Sequence, residues 1–133
     1  MSIMEVVPQS RIDLFAEMES HYEEEDTEYF VKLLDHDDYV VRCRATCILV
    51  DLGGEDKVQY IAKVLKDDPN ELVRHEAAVA LGVVGSTGEP EVLEKALNDP
   101  EESVRHSAVV ALSNLEFMKT LCKSEKFGKL TGG

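Results

Sequence analysis

The chain has no tryptophan, only eight other aromatic residues, four prolines and three cysteines in 133 residues. Cys43, Cys47 and Cys122 are too few and too uneven for a disulfide framework, so a reducing cytoplasm is the expected setting. No apolar run approaches the ~18 residues needed to cross a bilayer, which excludes a membrane-spanning helix. The first eight residues lack the basic flank and apolar stretch of a secretion signal. Basic residues are scarce as well, at 14 against 27 acids, for a net charge of −13. Binding to nucleic acid or to an anionic membrane surface needs clustered Lys and Arg, so neither is expected.

What the chain does have is repetition. The phrase Val-Arg-x-x-Ala-x-x-x-Leu runs from Val41 to Leu49, from Val73 to Leu81 and from Val104 to Leu112. Arg42 and Arg74 are 32 residues apart, and Arg74 and Arg105 are 31 apart. Leu34, Leu65 and Leu97 precede the three copies, each followed by an acidic turn. Self-similarity at this period marks a stacked array in which each unit buries its apolar face against its neighbours. The expected fold is all-α, an α-solenoid of about three helix pairs spanning residues 26–54, 55–86 and 87–116. Residues 1–9 read as a flexible lead-in and residues 10–24 as an N-terminal capping helix. Residues 117–133 read as a C-terminal cap and flexible tail.

Local signals mark the elements. Ser10 and Asp13 are expected to cap the first helix, with Ile12, Phe15, Met18 and Tyr22 on its apolar stripe. Asp26 or Thr27 opens the first pair, and Gly53-Gly54 closes it. Val58, Ile61, Ala62 and Leu65 form the inner side of the next helix; Val92, Leu93, Ala96 and Leu97 do the same in the third pair. Pro90 and Pro100 are placed in first helical turns, where a missing amide hydrogen costs nothing. The glycines at 53, 54, 85 and 88 are helix punctuation. Phe117, Met118, Leu121 and Cys122 have the spacing of a closing helix. Arg42, Arg74 and Arg105 are expected to pair with Asp35, Asp68 or Asp99 in a ladder between repeats.

A helical wheel separates two faces of each second helix. At ~100° per residue, Val73, Ala77, Ala80, Leu81 and Val84 cluster on one side, with His75 opposite. Gly82, Ala78 and Val79 fall near His75. The corresponding outward residues are His106, Val109, Val110 and Ser113 in the third pair, and Cys43, Thr46, Cys47 and Val50 in the first. The merged surface is small and apolar, and exposed apolar area of this kind marks contact with another molecule. The expected partner site is therefore Cys43, Cys47, His75, Ala78, Val79, Gly82, His106, Val109, Val110 and Ser113. An acidic rim favours a protein partner carrying basic residues. Composition leaves the oligomeric state open.

The stretch from Val73 to Gly82 resembles HEAT-like repeats of the short type found in phycobilin lyase subunits and deoxyhypusine hydroxylase. That resemblance covers roughly residues 26–115 and implies a right-handed solenoid. It also implies a possible metal role, since His75-Glu76 matches a metal-binding dipeptide of the hydroxylase. His106-Ser107 keeps only the imidazole, and Cys43-Arg44 keeps neither ligand. No cofactor and no catalysis are expected. The alternative is an iron- or zinc-binding hydroxylase-like protein using His75, Glu76 and His106, or a bilin lyase-like protein. No nucleophilic triad, phosphate-cradling glycine loop or paired catalytic carboxylate is present.

Overall fold

The computed structural model describes residues 7–84 and 89–121. The expectations placed on Gly85, Thr87, Gly88, Cys122 and the tail lie outside these residues. Among the described residues there are seven α-helices and no strand. They are α1 (Gln9–Glu23), α2 (Thr27–Leu33), α3 (Tyr39–Leu52), α4 (Val58–Asp67), α5 (Glu71–Val83), α6 (Pro90–Ala96) and α7 (Glu102–Leu121). A short 3₁₀ turn, Glu55–Lys57, leads into α4. The fold is an all-α solenoid, and no described helix is long and apolar enough to cross a membrane.

The helices pair as α2 with α3, α4 with α5 and α6 with α7, and the second helices α3, α5 and α7 stack in order. Each start has a local cause. The Asp26 carboxylate accepts the Tyr29 N–H at the head of α2, Asp38 accepts that of Val40, and the Asn70 side-chain oxygen accepts that of Leu72. Gly53 and Gly54 follow α3 with φ of +74° and +98°, a region that side chains disfavour.

Several sequence expectations are corrected. Ser10 does not cap α1: extended Pro8 precedes the helix and its carbonyl takes the Arg11 and Ile12 amides, while Asp13 is engaged by the Gln9 side chain. Ile12 and Tyr22 are exposed, because α1 meets the first repeat through Leu14, Phe15 and buried Met18. Pro100 lies two residues ahead of α7. The Asp99 carboxylate accepts the Glu101 N–H at 3.0 Å, and this side-chain turn delays the helix. Leu97 caps α6 and is partly exposed.

The interior consists of two clusters rather than one seam. Met18, Phe30, Val41 and Leu49 form the first. The second joins α4 to α7, from Val58 and Ile61 through Ala77 and Leu81 to Val104 and Ala111. Half-buried Leu34 packs against both. Burial of such side chains is worth about 25 cal/mol per Å² of apolar surface, and it is what holds the array together.

An arginine ladder runs along the turns. Arg42 forks Asp68 through Nε at 2.9 Å and Nη2 at 3.2 Å, and Arg74 forks Asp99 at 2.9 and 3.1 Å. Nη1 of each repeat arginine donates to a carbonyl of its own turn: His36 for Arg42, Asp68 for Arg74 and Asp99 for Arg105. The rung ahead of the first repeat is Arg11 with Asp38, at 2.7 and 3.0 Å. Asp35 is exposed and takes no part, so its expected rung is replaced by Asp38. These are bidentate, partly buried pairs, the strong form of the contact.

Candidate functional site on the stacked second helices

Among the described residues, the second helices leave one side of the stack uncovered. Val79 is 43% exposed on α5, and Val110 is 55% exposed on α7. Val83, Val109 and partly exposed Phe117 lie on the same two helices. Between α5 and α7 runs a groove of about 410 Å³ lined by Val79, Val83, Ser113, Asn114, Val110 and Phe117, with Gly82, Ser107 and Ala111 at its floor. Val79, Val110, Ser113 and Gly82 line the groove, whereas Cys43, Cys47, His75, Ala78, His106 and Val109 are not among its lining residues.

Two predicted contact residues are in fact interior. Ala78 is fully buried and Gly82 is buried, as is Thr46 on α3. A Cβ built on Gly82 would sit 2.9 Å from both Cα and Cβ of Ala111, so α5 and α7 meet with no room for a methyl group. Thr46 turns its hydroxyl back to the Arg42 carbonyl at 2.9 Å. A second helix in a stack packs on its own first helix and on neighbouring second helices, which buries a wider arc than one core-facing stripe. Sequence reasoning missed Val83, Asn114 and Phe117. The heptad-like runs Leu72–Val79 and Val110–Phe117 were the available signal.

The polar residues explain the groove's floor. Asn114 Nδ2 donates to the Gly82 carbonyl at 2.8 Å, tying α7 to α5. Ser107 Oγ donates to the Ser103 carbonyl at 2.8 Å and also meets Nδ1 of His75, linking α7 to α5.

His75 and Glu76 diverge. His75 reaches forward to Ser107 on α7, while Glu76 reaches back to α3, where Cys47 Sγ donates to its Oε2 at 3.3 Å. His106 is exposed on α7. These three side chains are not gathered around a common point. Burial and the nearby Glu76 carboxylate push both Cys43 and Cys47 up to about 11, so both are protonated thiols at neutral pH. The three-ligand cluster found among the described residues is His21, Glu24 and Asp26, between α1 and α2. There Asp26 already serves as the cap of α2 and as partner of His21 at 3.0 Å, and the His21 ring stacks on Tyr29 at 3.6 Å.

Comparison with known proteins bears on fold alone. No curated protein matches this chain. A family model described as HEAT repeats matches residues 27–113, from the start of α2 into the middle of α7 and over more than half of the chain. The interval contains all three copies of the Val-Arg-x-x-Ala-x-x-x-Leu phrase and the two inner rungs of the ladder. The chain belongs to the HEAT-repeat family.

Proposed function

We propose that this protein is a non-catalytic interaction scaffold that takes an amphipathic segment of a partner protein into the α5–α7 groove. The observation that carries the reading is the groove itself, about 410 Å³ with Val79, Val83, Val110 and Phe117 around it. Two valines that are roughly half exposed on adjacent helices would be poor choices for a face meant only for water. The polar groups at its base are spent on holding the helices together, which leaves shape and apolar contact to select the occupant. With a chain charge of −13, a segment with basic residues flanking its apolar side is the favoured partner, drawn in by long-range attraction. Catalysis through His75 and Glu76 gains no support, since the two side chains engage opposite neighbours.

The test is capture from source lysate with wild type and with a Val79→Glu/Val110→Glu variant whose thermal melt matches wild type. A protein retained by wild type and lost by the variant is expected, followed by direct titration of its amphipathic segment. A partner held equally by both forms overturns the groove. Stoichiometric iron or zinc in untagged protein, lost on His75→Ala or His106→Ala, would replace the scaffold reading with the metal-binding one.

A further inference from the structure

The two ends of the array are not equivalent. At the N-terminal end, α1 covers the first repeat and Arg11 fills the rung at Asp38. At the C-terminal end, among the described residues, the ladder stops half made. Arg105 is held from behind by the Asp99 carbonyl at 2.7 Å, as Arg74 is held by that of Asp68 at 2.9 Å. Yet among the described residues no carboxylate meets the Nε–Nη2 edge of Arg105, the edge with which Arg11, Arg42 and Arg74 grip the next unit. The surrounding residues tell the same story. Ala78, fully buried in the second repeat, corresponds to Val109, which is 51% exposed in the third.

The pattern along this side of α7 says what fits there. Glu102, Arg105, Val109, Leu112, Glu116 and Lys119 recur at alternating steps of three and four, one stripe down a 20-residue helix. All six are exposed or half-buried, while Val104, Ser107, Ala108, Ala111 and Met118 face inward. Read backwards, the stripe is its own complement. Laid antiparallel on a second copy, Glu102 opposes Lys119, Arg105 opposes Glu116, and Val109 opposes Leu112. The second half of the pairing repeats these contacts by symmetry.

We propose that two copies of this chain associate through α7, packed antiparallel about a two-fold axis, with Glu116 of each copy completing the open rung at Arg105 of the other. An isologous contact of this kind closes on itself and cannot propagate into a fibre. The covered N-terminal end excludes the head-to-tail alternative, because α1 already occupies the face that the next repeat would need. The contact lies on a different side of α7 from the groove and does not depend on the groove having a partner.

Sedimentation equilibrium of the full chain over roughly 1 µM to 1 mM tests it, a range that spans weak to moderate association. Wild type is expected to shift from monomer to dimer across the range. Arg105→Glu and Glu116→Arg alone each place like charges opposite one another and are expected to raise the dissociation constant at least about tenfold. The double swap, Arg105→Glu with Glu116→Arg, restores the opposite-charge pairing and is expected to recover most of the association. Circular dichroism melts confirm that all forms are folded. A wild type that stays monomeric throughout, a dimer indifferent to both single changes, or a double swap that fails to recover overturns the proposal. A dimer abolished by Val79→Glu/Val110→Glu would place the contact in the groove and overturn it as well.

Discussion

The junction between α3 and α5 and the junction between α5 and α7 are built from the same repeat phrase but from different materials. At the first, a thiol meets a carboxylate, Cys47 against Glu76, with half-buried Cys43 and Val50 beside them. At the second, Ala78 and Gly82 lie against Ser107 and Ala111, and Asn114 and Ser107 supply polar ties. The shared Val-Arg-x-x-Ala-x-x-x-Leu residues set which helix packs where. The residues between them set how closely. Small side chains on facing arcs remove the space that a methylene would need, and dense packing then makes the spacing hard to change.

Gly82→Val attacks the close junction directly and carries the largest expected effect. Its Cβ alone would overlap the backbone of Ala111, so α5 and α7 must separate. The expected cost is about 3 kcal/mol by chemical denaturation, against under ~1.5 kcal/mol for Cys43→Val at the other junction. Equal costs would mean that the two junctions are packed alike.

Next in size is the ladder, which crosses both junctions. Asp99→Asn leaves the Arg74 guanidinium, 13% exposed, without its counter-charge, at an expected cost of about 2 kcal/mol. The same rung governs acid stability. Burial raises the Asp99 carboxyl, but the hydrogen bonds from Arg74 and the Glu101 N–H outweigh it and hold the group below its ordinary value. Asp38 is lowered chiefly by its hydrogen bond to Arg11. A carboxyl lowered in the folded state contributes stability that is complete above its unfolded value, about 3.9, and is lost as pH falls through the lower folded value. Wild type is therefore expected to lose stability below about pH 4 from these rungs, and Asp99→Asn to lose less over the same interval. Parallel curves for the two proteins would remove the rung from the account.

The smallest effect sharpens the contrast at the α3–α5 side. A thiol raised from 9.0 to about 11 has roughly a hundredfold less thiolate at neutral pH, so Cys43 and Cys47 should react slowly with a disulfide reagent. Glu76→Gln removes the negative charge that helps hold Cys47 in its protonated form and leaves only a neutral amide oxygen as acceptor. Its reaction is expected to speed up severalfold, with Cys43 changing less. An unchanged rate for Cys47 would show that burial alone governs it.

The solenoid was legible because the repeat phrase encodes burial three times over, and Val41, Ala45, Leu49, Val73, Ala77, Leu81, Val104 and Ala108 all lie in the interior. The candidate surface was legible only on one side. A wheel with a single core centre put Ala78 and Gly82 outside, whereas the stack buries them. Their small size was the clue, since an exposed helix position has no physical need for glycine. Arg11 was invisible as a rung because α1 carries no copy of the phrase, and only the fold brings it to Asp38 across 27 residues of sequence. Asp35 was a reasonable partner by position, but the turn points Asp38 at the ladder and leaves Asp35 in water.

The contact at Gly82 has a mechanical consequence for the whole superhelix. With no slack between α5 and α7, the last two repeats have one way to sit together and behave as a stiff block. A change of curvature is then expected to fall nearer the N-terminus, where α3 meets α5 through side chains such as Cys47 and Glu76 rather than through backbone.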